Sequence, residues 1–170
     1  MSELRKIRVA VNGYGVIGKR VAAAVARQSD MVLVGIGDVT ADWRLRDPAR
    51  RGFSLYGVTA EHSEAMRKAG LAPAGVVSEL IGAADIVVDC TPKHVGAANA
   101  ALYRQAGKPF IVQGGEKHEV TGHSFVAEAS YAGALSRPAT RVVSCNTTSI
   151  VRTLSALKRA GLLRRARGTL

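Results

Sequence analysis

The segment Val11-Asn12-Gly13-Tyr14-Gly15-Val16-Ile17-Gly18 restricts the folds open to this chain more than any other feature. It follows the apolar run Ile7-Arg8-Val9-Ala10-Val11 and opens Val16 to Arg27, where Val, Ile and Ala recur on one helical face. Glycines spaced G-x-G-x-x-G between a strand and a helix form the phosphate-binding turn of a βαβ unit. Gly13 permits the tight turn, Gly15 lets the backbone approach a pyrophosphate, and Gly18 lets the helix pack close to the strand. Tyr14, Val16 and Ile17 complete the turn, and the first helical amides face the phosphates. A continuous apolar run from Met31 to Ile36 supplies the second strand, so the pair is expected to be parallel with a right-handed crossover.

The alternation of strand and helix continues. Asp85 to Cys90 and Pro109 to Gln113 have the apolar centres of buried parallel strands, with an alanine-rich helix from Val95 to Ala106 between them. Weaker signals give a short helix within Ala41–Arg51 interrupted by Pro48, a strand over Phe53–Val58, and a helix over Glu61–Ala69 ended by Gly70. Ala72-Pro73-Ala74-Gly75 is expected to be loop, and Ser124 to Leu135 to hold a helix. Arg141 to Ser144 is expected as a last strand, followed by a helix from about Ser149 to Ala160. The fold class is therefore α/β, a doubly wound parallel sheet of the Rossmann type.

Asp38 lies twenty residues after Gly18 at the end of the second strand. A carboxylate there accepts hydrogen bonds from the adenosine ribose hydroxyls and repels a 2′-phosphate, which favours NAD over NADP. Arg44 and Arg46 are near enough in sequence to offset part of that repulsion. Thr91 and Pro92 follow the Asp85–Cys90 strand at its carboxyl end, where such sheets bind ligands, and are expected beside the cofactor.

Cys145 falls between a strand and a helix N-terminus, a position at which helix-end amides stabilise a thiolate. It is the best nucleophile in the chain, the alternative being a small packed thiol. Asn146, Thr147 and Thr148 add capping and anion-binding groups to the same turn. Cys90, at the end of an apolar strand, is expected to be structural. His62, His94, His118 and His123 form no evident pairing with Cys145 and are read as surface or turn residues.

Two cysteines are too few for a disulfide scaffold, and neither they nor the histidines show the spacing of a zinc site, so no metal is expected. The net charge of +11 comes from scattered arginines without an aromatic-basic pattern, so it is read as a solvated basic surface rather than a nucleic-acid site. The cluster Lys158, Arg159, Arg164, Arg165 and Arg167 is the exception, as a helix end or an anionic-ligand site. With no apolar run of about 18 residues and no signal-peptide core, the expectation is a cytoplasmic protein with no membrane contact.

Asn12-Gly13-Tyr14-Gly15-Val16-Ile17-Gly18-Lys19-Arg20-Val21, Ala84 to Asp89, Gln113-Gly114-Gly115-Glu116-Lys117 and Val142 to Thr148 together resemble type II, archaeal-type, glyceraldehyde-3-phosphate dehydrogenase. The resemblance implies that Cys145 attacks the aldehyde, that hydride passes to the nicotinamide, and that inorganic phosphate releases the thioester as 1,3-bisphosphoglycerate. It places Ser144, Asn146 and Thr147 at the substrate, and Val16, Ile17, Gly114 and Gly115 at the dinucleotide. It also implies a homotetramer. Members often carry lysine, suited to NADP, where this chain has Asp38. The family continues for about as many residues again beyond the cysteine turn, so 1–141 is expected to be the NAD(P)-binding domain and 142–170 the truncated start of a catalytic domain. The missing part would hold the general-base histidine and phosphate-binding arginines. The alternatives are a non-catalytic NAD-binding or redox-sensing module, and another cysteine-dependent semialdehyde dehydrogenase.

Overall fold

The computed structural model describes residues 5–169. Eight strands form one sheet: β1 (Ile7–Asn12), β2 (Met31–Asp38), β3 (Leu55–Gly57), β4 (Pro73–Val76), β5 (Ile86–Asp89), β6 (Phe110–Val112), β7 (Ser124–Phe125) and β8 (Ala139–Val142). Their order is β4-β3-β2-β1-β5-β6-β8-β7, and every neighbouring pair is parallel. The chain runs outward from β1 to β4, then returns to lay β5 on the other side of β1. That reversal leaves a crevice at the carboxyl ends of β1 and β5, where open parallel sheets bind ligands.

Among the described residues six α-helices lie between strands, α1 (Val16–Val25), α2 (Arg46–Arg50), α3 (Ala60–Lys68), α4 (Val77–Ala83), α5 (Val95–Gln105) and α6 (Ala127–Ala134), and α7 (Cys145–Arg159) follows the last strand. Successive strand residues point to opposite faces, so each central strand feeds two cores. Val9, Val11 and Val88 face one side, where α1 contributes Ala22 and Val25 and α3 contributes Met66. Ala10, Val87, Phe110 and Val112 face the other, against Leu80 and Ile81 of α4 and Ala100 and Tyr103 of α5. Large rings are scarce in this interior, and close backbone approach replaces them. At Gly35 a Cβ would sit 2.5 Å from the Tyr56 ring and 2.8 Å from Leu80.

Several boundaries differ from the sequence expectations. Pro73 to Val76 forms β4 rather than a loop, because proline is tolerated at the first residue of an edge strand, where the missing N–H leaves no ladder bond unmade. Pro48 lies in the first turn of the short α2, where its missing N–H also breaks no helical bond. Residues 124–125 pair as β7, and α6 starts only at Ala127. The last parallel strand covers Ala139–Val142 instead of Arg141–Ser144, and α7 starts at Cys145, four residues earlier than Ser149. Lys158 and Arg159 close the last turn of α7, where positive charge complements the helix dipole. Residues 162–169 carry no helix or strand, and Leu170 lies outside the described residues.

Candidate functional site

The glycine turn is built as its spacing demands. Gly13 has φ +92°, and a Cβ on it would come within 2.9 Å of the Cys90 carbonyl and the Thr91 nitrogen. A Cβ on Gly18 would lie 1.9 Å from the Gly13 carbonyl oxygen, so α1 sits directly on the turn. Gly15 is different: no described atom would lie within 4 Å of its Cβ, and open space faces its backbone. Gly15 also caps α1 without a side-chain hydrogen bond, and the first turn of that helix holds no acidic residue. Its leading amides are therefore free for an anion.

These residues line a cleft of about 890 Å³ at the switch point, a size typical of small-molecule sites. Gly13, Tyr14, Gly15, Val16, Ile17, Asp38, Thr91, Pro92 and Gly114 all reach it. Gly18 and Gly115 do not: Gly18 packs behind the turn, and Gly115 takes a positive φ of +83° in the loop after β6. Asp38 is anchored at both oxygens, with Oδ2 accepting from the Tyr14 amide at 2.7 Å and Oδ1 from the Thr40 amide at 2.8 Å. A carboxylate has about four acceptor positions, so two remain for ribose hydroxyls. Arg44 also lines the cleft, but its guanidinium is engaged by Asp42, whose carboxyl it holds down at about 2 through hydrogen bonding.

Beneath the cleft runs a buried polar chain that no sequence motif announced. The Asp89 side chain, 0% exposed, accepts from the Thr91 amide (2.9 Å) and hydroxyl (2.5 Å), from Asn99 Nδ2 (2.9 Å) and from the Tyr103 hydroxyl (2.6 Å). Since Tyr103 donates to the carboxylate, its lone pair accepts from Asn12 Nδ2 at 2.7 Å. This order fixes the Asn12 amide and leaves its Oδ1 buried without a hydrogen-bond partner among the described residues. A Cβ on Gly37 would stand 2.5 Å from Val77 Cγ2 and 2.8 Å from Asn12 Oδ1, so any side chain there would force one of them to shift. Burial, reinforced by the Asp89 charge, raises the Tyr103 hydroxyl far above its ordinary range. The same two causes push the Cys90 thiol up to about 12, which keeps it neutral and unreactive, in accord with a structural role.

Cys145 contrasts with Cys90 by being exposed, as the first residue of α7. Ser144 is the N-cap, its hydroxyl accepting from the Thr147 amide at 3.2 Å. That cap explains why the helix begins at Cys145, ahead of the Thr147-Thr148 pair, rather than at Ser149. Ser144 and Cys145 line a second cleft of about 840 Å³, together with Thr148, Ser149 and Arg152. Asn146 and Thr147 do not line it. Arg152, not singled out by the sequence reading, is tethered by its Nε to Glu128 of α6 at 3.1 Å. Ile17 and Gln113 border both clefts, so the glycine turn and the cysteine turn open toward one another.

None of the four histidines lines the second cleft. His123 is no surface residue: it is buried, with Nδ1 2.6 Å from the Thr140 hydroxyl, because β7 folds it against β8. Among the described residues no group of three or more His, Cys, Asp or Glu could hold a metal ion, and no helix is long and apolar enough to cross a membrane.

Fold and cleft together define a dinucleotide-binding Rossmann unit of the dehydrogenase type. Residues 7–121 match the family model described as dihydrodipicolinate reductase, N-terminus, and the chain belongs to that family. The matched stretch runs from β1 through β6 and stops before the cysteine turn. Relatives over nearly the whole chain are named glyceraldehyde-3-phosphate dehydrogenase, in agreement with the resemblance read from the motifs. The one from Methanococcoides burtonii is 48% identical over 167 residues, which is 98% of this chain and 50% of the relative. The one from Thermococcus kodakarensis is 48% identical over 90% of this chain and 46% of its own length. The chain thus spans about half the length of the curated relatives it matches. Among solved structures, aspartate semialdehyde dehydrogenase II from Vibrio cholerae superposes with a TM-score of 0.62 at 14% identity, over 92% of this chain and 47% of that one. That likeness concerns the fold.

Proposed function

We propose that this chain is the NAD(P)-binding portion and cysteine turn of a phosphorylating glyceraldehyde-3-phosphate dehydrogenase, with 142–170 opening the second domain. The observation that carries the reading is the meeting of the two clefts at Ile17 and Gln113, which sets an exposed helix-start cysteine beside a dinucleotide cleft. The uncapped α1 amides and the open face of Gly15 suit a pyrophosphate, and the doubly anchored Asp38 suits the adenosine ribose. When bound, the nicotinamide supplies a hydride acceptor. Cys145, attacking as its thiolate, adds Sγ to the aldehyde carbon to give an alkoxide, and the Cys145 and Asn146 amides at the start of α7, not taken up by the Ser144 cap, are available to it. Loss of hydride from that carbon leaves a thioester on Cys145. A phosphate oxygen then attacks the thioester carbon, the thiolate leaves, and the product is an acyl phosphate. Ser144 shapes the substrate side of the turn, with Asn146 and Thr147 beside it.

The second cleft has no histidine in its lining, which favours a second reading: a cofactor-binding unit whose cysteine chemistry is completed by groups outside this chain. Initial rates of NAD and NADP reduction with glyceraldehyde 3-phosphate and inorganic phosphate separate the two. Turnover that is lost in Cys145→Ser, with dinucleotide affinity kept within about twofold, supports cysteine chemistry completed within this chain and overturns the second reading. No turnover from a folded chain that binds the dinucleotide supports the second. Turnover retained in Cys145→Ser overturns both.

Preference for NAD is argued from Asp38. Asp38→Ala is expected to weaken NAD binding by about tenfold or more, since hydrogen bonds to a charged acceptor contribute roughly 1.5–3 kcal/mol. NADP binding should fall less, because the same change removes a repulsion from the 2′-phosphate. Titration with both cofactors checks this, and equal losses would remove Asp38 from the ribose site.

A further inference from the structure

Glu116 is 3% exposed, and no step above uses it. It lies beyond β6, yet its Oε1 accepts the His94 amide at 2.8 Å, on the loop that follows β5. His94 is one of only two non-glycine residues among those described with a positive φ, at +74°. A positive φ is uncommon for any residue with a side chain, and the buried acceptor on the His94 amide helps to hold it there. We infer that Glu116 is a positioning residue for the dinucleotide site, locking the Thr91–His94 turn that forms one wall of the cleft.

The turn is held at both ends by buried carboxylates. Asp89 binds the Thr91 amide and hydroxyl at the start, and Glu116 binds the His94 amide at the finish. Between these anchors the backbone is clasped by glycines. Gly13 approaches Thr91 from β1, and a Cβ on Gly114 would lie 2.6 Å from the Thr91 carbonyl oxygen. Gly96, in the first turn of α5, leaves room for both anchors, since a Cβ there would stand 3.1 Å from Glu116 Oε1 and 3.3 Å from Asp89 Oδ1. Glu116 is itself fixed through its main chain, whose carbonyl accepts from Arg141 Nη1 of β8 at 2.7 Å. Thr91, Pro92, Lys93 and Val95 of this segment face the cleft. Without the Glu116 anchor, His94 can relax to a negative φ and carry the wall with it.

This inference rests on the dinucleotide-binding reading. Its test is the dissociation constant for NAD and NADP of the purified chain and of three variants, measured well below each melting transition so that only folded protein is compared. Glu116→Gln keeps an acceptor at the same reach and should bind within about twofold of the unsubstituted chain. Glu116→Ala removes the acceptor, and if the released turn is competent about a tenth of the time the affinity falls about tenfold. Glu116→Asp, shorter by one methylene and the gentler change should alanine not fold, is expected to weaken binding in the same direction. Full binding by both the alanine and aspartate variants overturns the role of Glu116 alone. Failure of the unsubstituted chain to bind either cofactor overturns the dinucleotide reading and this inference with it.

Discussion

Asp89→Ala is expected to lower the melting temperature by about 10 °C and to abolish dinucleotide binding. The carboxylate is fully buried and accepts from Thr91 twice, from Asn99 and from Tyr103. Alanine leaves the buried Tyr103 hydroxyl and the part-buried Thr91 and Asn99 donors without their acceptor, at about 1–3 kcal/mol for each that water does not satisfy. A net loss of about 4 kcal/mol is a large share of the 5–15 kcal/mol that holds a domain together, and each kcal/mol shifts the transition by roughly 2–4 °C at this size. Binding suffers separately, because the Thr91 turn loses its starting anchor and the Asn12 amide its fixed orientation. Asp89→Asn, which retains one acceptor oxygen, should lose less than half as much. A thermal melt of Asp89→Ala within about 3 °C of the unsubstituted chain would show that the network contributes little.

Gly18→Ala is the second large effect, and its contrast with Gly15→Ala makes it informative. In a helix interior alanine is favoured over glycine by about 1 kcal/mol, so propensity alone predicts stabilisation at Gly18, whereas Gly15 is the N-cap, where alanine brings no such gain. At Gly18 the added carbon would stand 1.9 Å from the Gly13 carbonyl oxygen, a backbone atom that can yield only by moving the whole turn. Overpacking of that kind costs about 1–3 kcal/mol or more, which outweighs the propensity gain. The expected result is a lower melting temperature together with at least a tenfold loss of dinucleotide affinity. Gly15→Ala meets no described atom within 4 Å, so the fold should be unharmed while the methyl group blocks the approach of a phosphate. Melting curves and cofactor titrations on the pair test both statements. Equal stability of the two variants would contradict the packing argument, and full binding by Gly15→Ala would move the pyrophosphate elsewhere.

The features legible in the sequence are those whose physics is local. The strand, glycine turn and helix at residues 7–25 involve neighbours a few positions apart, and each glycine has a steric reason that its spacing already states. Asp38 follows at the length of one βαβ unit, and Cys145 at a strand-to-helix junction, so both positions could be read from element order alone. Alternating apolar strands and helices required a parallel sheet, because parallel neighbours need a crossover between them.

What required the tertiary structure involves partners far apart in the chain. Asn12 and Tyr103 are 91 residues apart, and Glu116 and His94 are 22 apart, so no window of sequence relates them. The edge strand at Pro73 forms because β3 is there to pair with it, against the local preference of proline and glycine for a loop. His123 looked like a turn residue until β7 and β8 closed around it. The meeting of the two clefts at Ile17 and Gln113 arises because α1 and β6 flank the switch point from different parts of the chain. Local sterics and hydrophobic period thus determined the elements and the identity of the glycine and cysteine turns. Only long-range packing, which buries carboxylates where they must find distant donors, decided how those turns are held and that they face each other.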